Sequence, residues 1–267
     1  MSEINEQIAN LLAIGAAQGP VRTVNVDGAP FSIVPTGYKV MDLREFLAAP
    51  LRIKADAKFD EAGSFCIYVR KFMDARTVLF ANKGACSVSA VFDYHTDANT
   101  TGWGDHTGVF QCKKSVEWGR WDGSNGKVMT QTDFARFIED NLPDIVRPDA
   151  AHMLEVSRSL EAKSEVNFGS TVRLDNGQVE LKYEEAIKGS ACKGKLEIPE
   201  VFILSIAPFE GGDPVEVTAR LRYRIKEGKL VIWYDLLRAH KVLEASFADV
   251  VTRITEVTKL TPLMAHF

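Results

Sequence analysis

PVEVTARLRYRIKEGKLVIWYDL, residues 214–236, is the stretch that decides how this chain folds. Val215, Val217, Ala219, Leu221, Tyr223 and Ile225 alternate with Glu216, Thr218, Arg220, Arg222 and Arg224. A strand sends successive side chains to opposite faces, so the alternation marks a strand with one face buried. Glu227-Gly228 supplies a two-residue turn, and Lys229 to Leu236 return as the partner strand. With those residues as the whole loop, Ile225 faces Leu230, Tyr223 faces Ile232 and Leu221 faces Tyr234, and one side of the ribbon is wholly apolar. The other side sets Arg224 against Val231, Arg222 against Trp233 and Arg220 against Asp235, an arginine row with an indole and a carboxylate opposite.

Downstream, Leu243, Phe247, Val250, Val251, Ile254 and Val257 recur at helical spacing and predict a helix covering the hairpin's apolar face. Upstream, a strand is expected from Lys195 to Ile206, and two more, about 165–174 and 178–184, flank the turn Asp175-Asn176-Gly177. Before them a helix from Asp149 to about Ala162 carries Met153, Leu154 and Leu160. Thr130 caps another, with Phe134, Phe137 and Ile138 inward and Pro143 ending it. Trp118 and Trp121 share one side of a short helical turn closed by Asn125-Gly126. Strands are expected at Thr77 to Ala81, Cys86 to Tyr94 and Val109 to Lys113, after a helix from Asp60 to near Asp74 with Phe65, Val69 and Phe72 on one face. Strands in runs and helices in runs, without regular alternation, predict an α+β fold, a mainly antiparallel sheet with helices packed on one face.

The first 55 residues read differently. Ile4, Ile8, Leu11 and Leu12 form one stripe of a helix over 3–17, closed by Gly19-Pro20; extended segments follow to Tyr38, and Asp42-Leu-Arg-Glu45 has capping-box spacing for a helix ending before Pro50. The domain expectation is an N-terminal helix and extended arm over 1–55 and a core domain over 56–267, open to a division into lobes 56–163 and 164–267. The arm packs on its own subunit or is exchanged between subunits.

A chain of 267 residues with 46% hydrophobic and 25% charged residues can bury about three quarters of its unfolded surface, which excludes wholesale disorder. The net charge of −4 excludes a protein coated in positive potential and leaves nucleic-acid contact to a local patch. Cys66, Cys86, Cys112 and Cys192 contain no C-x-x-C pair, which argues against a zinc site or redox dithiol and fits a reducing cytoplasm. MSEINEQIANLLAIG lacks the basic and apolar regions of a signal peptide, and no apolar run approaches the roughly 20 residues of a membrane span, so the expectation is a cytoplasmic protein without a membrane segment.

P-loop, G-x-G-x-x-G, G-x-S-x-G and H-E-x-x-H motifs are absent. The remaining chemistry lies in DYHTDANTTGWGDH, residues 93–106, where Asp93, His95 and Asp97 are expected on one strand face and Asp105 and His106 follow. Imidazole and carboxylate ligate iron, manganese or zinc and serve acid–base chemistry. The same residue types bond their own backbone in ordinary loops, and without a recognised ligand spacing neither metal nor cofactor is expected. Trp103, Trp118 and Trp121 either stack bases or fill a core. In the arginine row, alternate residues stand about 6.6 Å apart, near the phosphate spacing of a stretched single strand. The alternative is a solvated or inter-subunit face with Arg220 held by Asp235 and Arg222 stacked on Trp233.

Gly102-Trp103-Gly104-Asp105-His106, Phe137-Ile138-Glu139-Asp140-Asn141-Leu142-Pro143-Asp144-Ile145, Val172-Arg173-Leu174-Asp175-Asn176-Gly177, Glu197-Ile198-Pro199-Glu200, Phe209-Glu210-Gly211-Gly212 and the Arg220 to Arg224 run resemble the YfdQ-like proteins of bacteriophages and prophages. The likeness runs from about residue 58 to the end. The resemblance implies a phage-borne protein of a family of unknown function, made in the cytoplasm of the infected bacterial cell and concerned with phage DNA handling or host defence. No catalytic residue comes with it. The expectation is a homo-oligomer that acts by binding nucleic acid or a host protein, with Arg220, Arg222, Arg224 and Trp233 as the binding residues. The alternatives are a metal-dependent enzyme using the 93–106 loop and a self-assembling structural protein without ligand.

Overall fold

The computed structural model describes residues 22–26, 29–33, 47–168, 172–173, 179–180, 183–190 and 197–266, with side chains over 47–160 and 197–266. The chain divides into two compact units, Met1–Ile53 and Lys54–Phe267. In the first, β1 (Arg22–Val26) and β2 (Ala29–Ile33) form an antiparallel pair, within the stretch expected to be extended. The helix expected at 3–17 lies outside the described residues, as do residues 42–46 of the one expected after Asp42, while its described residues 47–49 are bends and not helix.

The second unit opens with β3 (Ala55–Phe59), α1 (Ala62–Phe72), β4 (Val78–Asn82), β5 (Ser87–Val91) and β6 (His106–Gln111). Next come α2 (Val116–Ser124), β7 (Met129–Thr130), α3 (Gln131–Asp140), β8 (Ile145–Arg147) and α4 (Ala150–Ser159). Ser115 begins α2, its Oγ accepting from Trp118 N at 3.0 Å while donating to the Ala207 carbonyl at 2.5 Å. Thr130 caps α3 as expected. Helix α4 stops at Ser159, short of Ala162, because β9 (Glu161–Phe168) begins there. The region expected to hold two strands contains two ladders, β9 with β12 (Tyr183–Ser190) and β10 (Val172–Arg173) with β11 (Val179–Glu180). The chain ends with β13 (Val201–Ile206), β14 (Val215–Lys226), β15 (Lys229–Leu236), α5 (Ala239–Thr258) and β16 (Leu263–Met264). Strand β13 starts at Val201, and the described residues 197–200 of the strand expected from Lys195 are not strand: Pro199 has no N–H to give a ladder.

Strands β14 and β15 form the hairpin in the expected register, Leu221 against Tyr234, Tyr223 against Ile232 and Ile225 against Leu230. Glu227 at φ 51° and Gly228 at φ 73° make the tight turn that matches strand twist. The sheet runs β7-β15-β14-β13-β8, antiparallel throughout. Beyond the two residues that pair with β7, the outer side of β15 is also covered: Gly126 N donates to Tyr234 O at 2.8 Å and Leu236 N to Asn125 Oδ1 at 2.9 Å, leaving less free edge for another chain to extend.

The helix over the hairpin's apolar face is not the one expected. Trp118 and Trp121 of α2, Phe134 and Ile138 of α3 and Met153 of α4 share a core with Phe202, Val217, Leu221, Ile232 and Tyr234. Helix α5 instead sends Phe247 and Ile254 into a second core with Phe65 and Val69 of α1 and Val88, Ala90 and Phe110. Only its N-terminal residues, Ala239, Val242 and Leu243, reach the hairpin core, and Val257 is exposed. An amphipathic stripe requires an apolar partner without specifying which, and three helices had already filled the hairpin's face.

The second sheet runs β16-β4-β5-β6-β3, antiparallel at its centre and parallel at both edges. Both sheets draw strands from either side of residue 163. They are stitched where residues 113–115 run beside 208–210: Glu210 N donates to Lys113 O at 2.9 Å and Ser115 N to Pro208 O at 3.1 Å. The fold is α+β with mostly antiparallel sheets. No helix among the described residues is long and apolar enough to cross a membrane.

Candidate binding face

With the odd-numbered residues of β14 committed to the core, its even-numbered residues are left on the outer face, and Arg220, Arg222 and Arg224 are all exposed there. Their partners are diagonal, not opposite. Arg222 Nε reaches Asp235 Oδ2 at 3.3 Å, and the Arg224 guanidinium lies 5.4 Å above the Trp233 ring. The register is the expected one, Arg220 facing Asp235 and Arg222 facing Trp233; what differs is the contact, since Asp235 holds Arg222 and Trp233 lies under Arg224, because long side chains on a twisted sheet reach the next residue along. Arg220 has no ion-pair partner among the described residues. At the turn end Lys226 stands directly across from Lys229 and prolongs the cationic strip.

Arg147 on β8 was not singled out from the sequence. It crosses β13 to hold both carboxylate oxygens of Glu216 at 2.5 Å, which neutralises that carboxylate on the same face. The signal that would have found it is the addition of a short edge strand to β13, which three residues do not announce. Exposed pairs of this kind contribute at most about 1 kcal/mol, so the row's value lies in its local field and its donors. Guanidinium groups at strand spacing beside a half-buried indole can grip successive phosphates and offer a flat surface to a base.

The 93–106 loop is built otherwise than expected. Residues 93–97 are not a strand, so Asp93, His95 and Asp97 share no strand face. A Cβ at Gly102 would sit 1.9 Å from the Asp93 carbonyl oxygen, so glycine alone lets the loop double back there. The titratable groups are spent on that geometry. Asp93 accepts from His106 N at 3.1 Å and Asp105 N at 3.2 Å, and His95 Nδ1 from Gly102 N at 3.0 Å. Asp97 accepts from Asn99 N at 2.7 Å and Thr100 N at 2.8 Å, and these amides hold its carboxyl below the usual range. Asp105 pairs with Lys54 at 3.5 Å.

His106 is 4% exposed, opens β6 and packs 4.3 Å from the Phe92 ring, with Nε2 2.9 Å from the Tyr68 hydroxyl. Burial lowers its pKa, with Asp93 opposing. Among the described residues no group of three or more His, Cys, Asp or Glu could hold a metal ion. Trp118 and Trp121 are core residues, while Trp103 is 76% exposed.

A family model described as an uncharacterized conserved protein, DUF2303, matches residues 4–267. The chain belongs to the DUF2303 family. No curated protein and no solved structure matches it. The family match takes in both units, so the arginine row and the 93–106 loop of this DUF2303 chain both fall within the matched residues.

Proposed function

We propose that this DUF2303 protein is a phage- or prophage-borne accessory protein that acts by binding, as a homo-oligomer in the bacterial cytoplasm, and that its ligand is single-stranded nucleic acid laid along β14. The phage setting rests on the YfdQ-like motifs. The binding surface rests on one observation: Arg220, Arg222 and Arg224 stand exposed in line on one strand, with Arg224 over Trp233. The guanidinium and indole together form a platform on which a base can stack, while Arg220 and Arg222 take phosphates. Asp235, held by Arg222, tempers the row and favours a flexible ligand over a close-packed duplex.

A labelled oligonucleotide titrated into wild type and Trp233→Leu tests the platform. Loss of the stacked base is expected to weaken binding by about 1–3 kcal/mol. Unchanged affinity would remove the indole from the site, and no binding of wild type at low salt would remove nucleic acid altogether and leave an acidic protein surface as the partner to test.

A further inference from the structure

Beside the seam that joins the two sheets lies a cleft of about 510 Å3, within the range that holds a small organic molecule. Its floor is apolar, built from Phe110, Cys112, Phe209 and Val250. Burial pushes the Cys112 thiol up to about 12, so it remains neutral and adds to that floor. The walls come from three separate stretches: the entry to α1 at Asp60 to Gly63, the glycine turn from Glu210 to Asp213, and α5 through Ser246, Asp249 and Arg253.

Charge decides what fits. The rim carries the carboxylates of Asp60, Glu61, Glu210, Asp213 and Asp249. Two are already neutralised, Asp60 by Lys113 Nζ at 2.5 Å and Asp213 by Arg253. Glu61, Glu210 and Asp249 make no ion pair among the described residues, and of the three Glu210 alone feels the charge of Lys113, which is already paired with Asp60. Glu61 occupies the N-cap of α1 without accepting a side-chain hydrogen bond from its helix, so capping does not consume it. An apolar cleft rimmed by surplus charge of one sign focuses the field and concentrates ligands of the other. Anions are repelled, and a bare inorganic cation would leave the aromatic floor uncovered.

We propose that this cleft binds a small aliphatic oligoamine, its methylene chain lying on Phe110 and Phe209 and its ammonium groups pairing with Glu61, Glu210 and Asp249. Three carboxylates on three elements suit several ammonium groups along one chain better than a single charge. Burying the methylenes supplies affinity that charge alone would not. The ligand here is cationic and the arginine row's is anionic, so this proposal stands or fails apart from that one.

The test is calorimetric titration of the full chain at low salt with spermidine and cadaverine, with glutarate and magnesium chloride as controls. Spermidine is expected to bind saturably, one per chain and more tightly than cadaverine, with no binding of glutarate. Glu61→Gln and Asp249→Asn, both exposed and expected to leave the melting temperature unchanged, should each weaken spermidine by about tenfold, as for loss of one charge-assisted contact. Absence of saturable binding, wild-type affinity in both variants, or displacement of spermidine by equimolar magnesium would overturn the proposal.

Discussion

Tyr234 is fully buried, and its hydroxyl donates to the Trp121 carbonyl at 2.6 Å, while Trp121 Nε1 donates to Asp144 Oδ2 at 2.7 Å. Tyr234→Phe leaves that carbonyl without its donor and should cost about 1–2 kcal/mol, read from the urea midpoint at unchanged slope. His106 makes a pH prediction. Burial lowers its pKa below the ordinary 6.5, so the unfolded chain binds the proton more readily. Its contribution is complete above about 6.5 and is lost as pH falls from there towards the folded value, and His106→Gln should flatten the stability curve on the acid side of about pH 6.5. At this scale the sequence was half legible. Trp118 and Trp121 were open between core and stacking, since helical spacing serves both, and the arginine partners were misread because a flat ladder has no diagonals.

The turn at Glu227 and Gly228 gives the element its sharpest test, because both residues have positive φ. Gly228→Ala should destabilise by about 1 kcal/mol and Glu227→Asn should stabilise by up to about 1 kcal/mol, the asymmetry expected of a left-handed position. Thermal denaturation of the two variants checks both signs, and a neutral Gly228→Ala would contradict the turn. Hairpin register was fully readable, since alternation, turn and return strand all agreed. Strand β6 starts at His106, ahead of the expected Val109, because a polar His-Thr-Gly run gains its place in the sheet from pairing with β3 and β5, which lie far away in sequence. Helix α5 was found by its stripe and assigned to the wrong core for the same reason: period reports a buried face, and only topology names its partner.

For the whole molecule the proposed homo-oligomer is checked by light scattering on the full chain, where a mass that is a multiple of 29.6 kDa is expected and a monomer would contradict it. The oligoamine cleft could not have been read from the sequence, because its walls come from residues near 60, 110, 210 and 250 that share no motif. The arginine row could be, because one strand carries it. Its function is tested most directly by titrating a labelled single-stranded oligonucleotide into wild type and the Arg220→Ala, Arg222→Ala and Arg224→Ala variants at two salt concentrations. Each phosphate neutralised on a single strand contributes about 0.7 to the slope of log affinity against log salt, so each variant should bind more weakly and lose about that much slope. Slopes identical to wild type, with only a lowered melting temperature, would show that the arginines hold the sheet and not a nucleic acid.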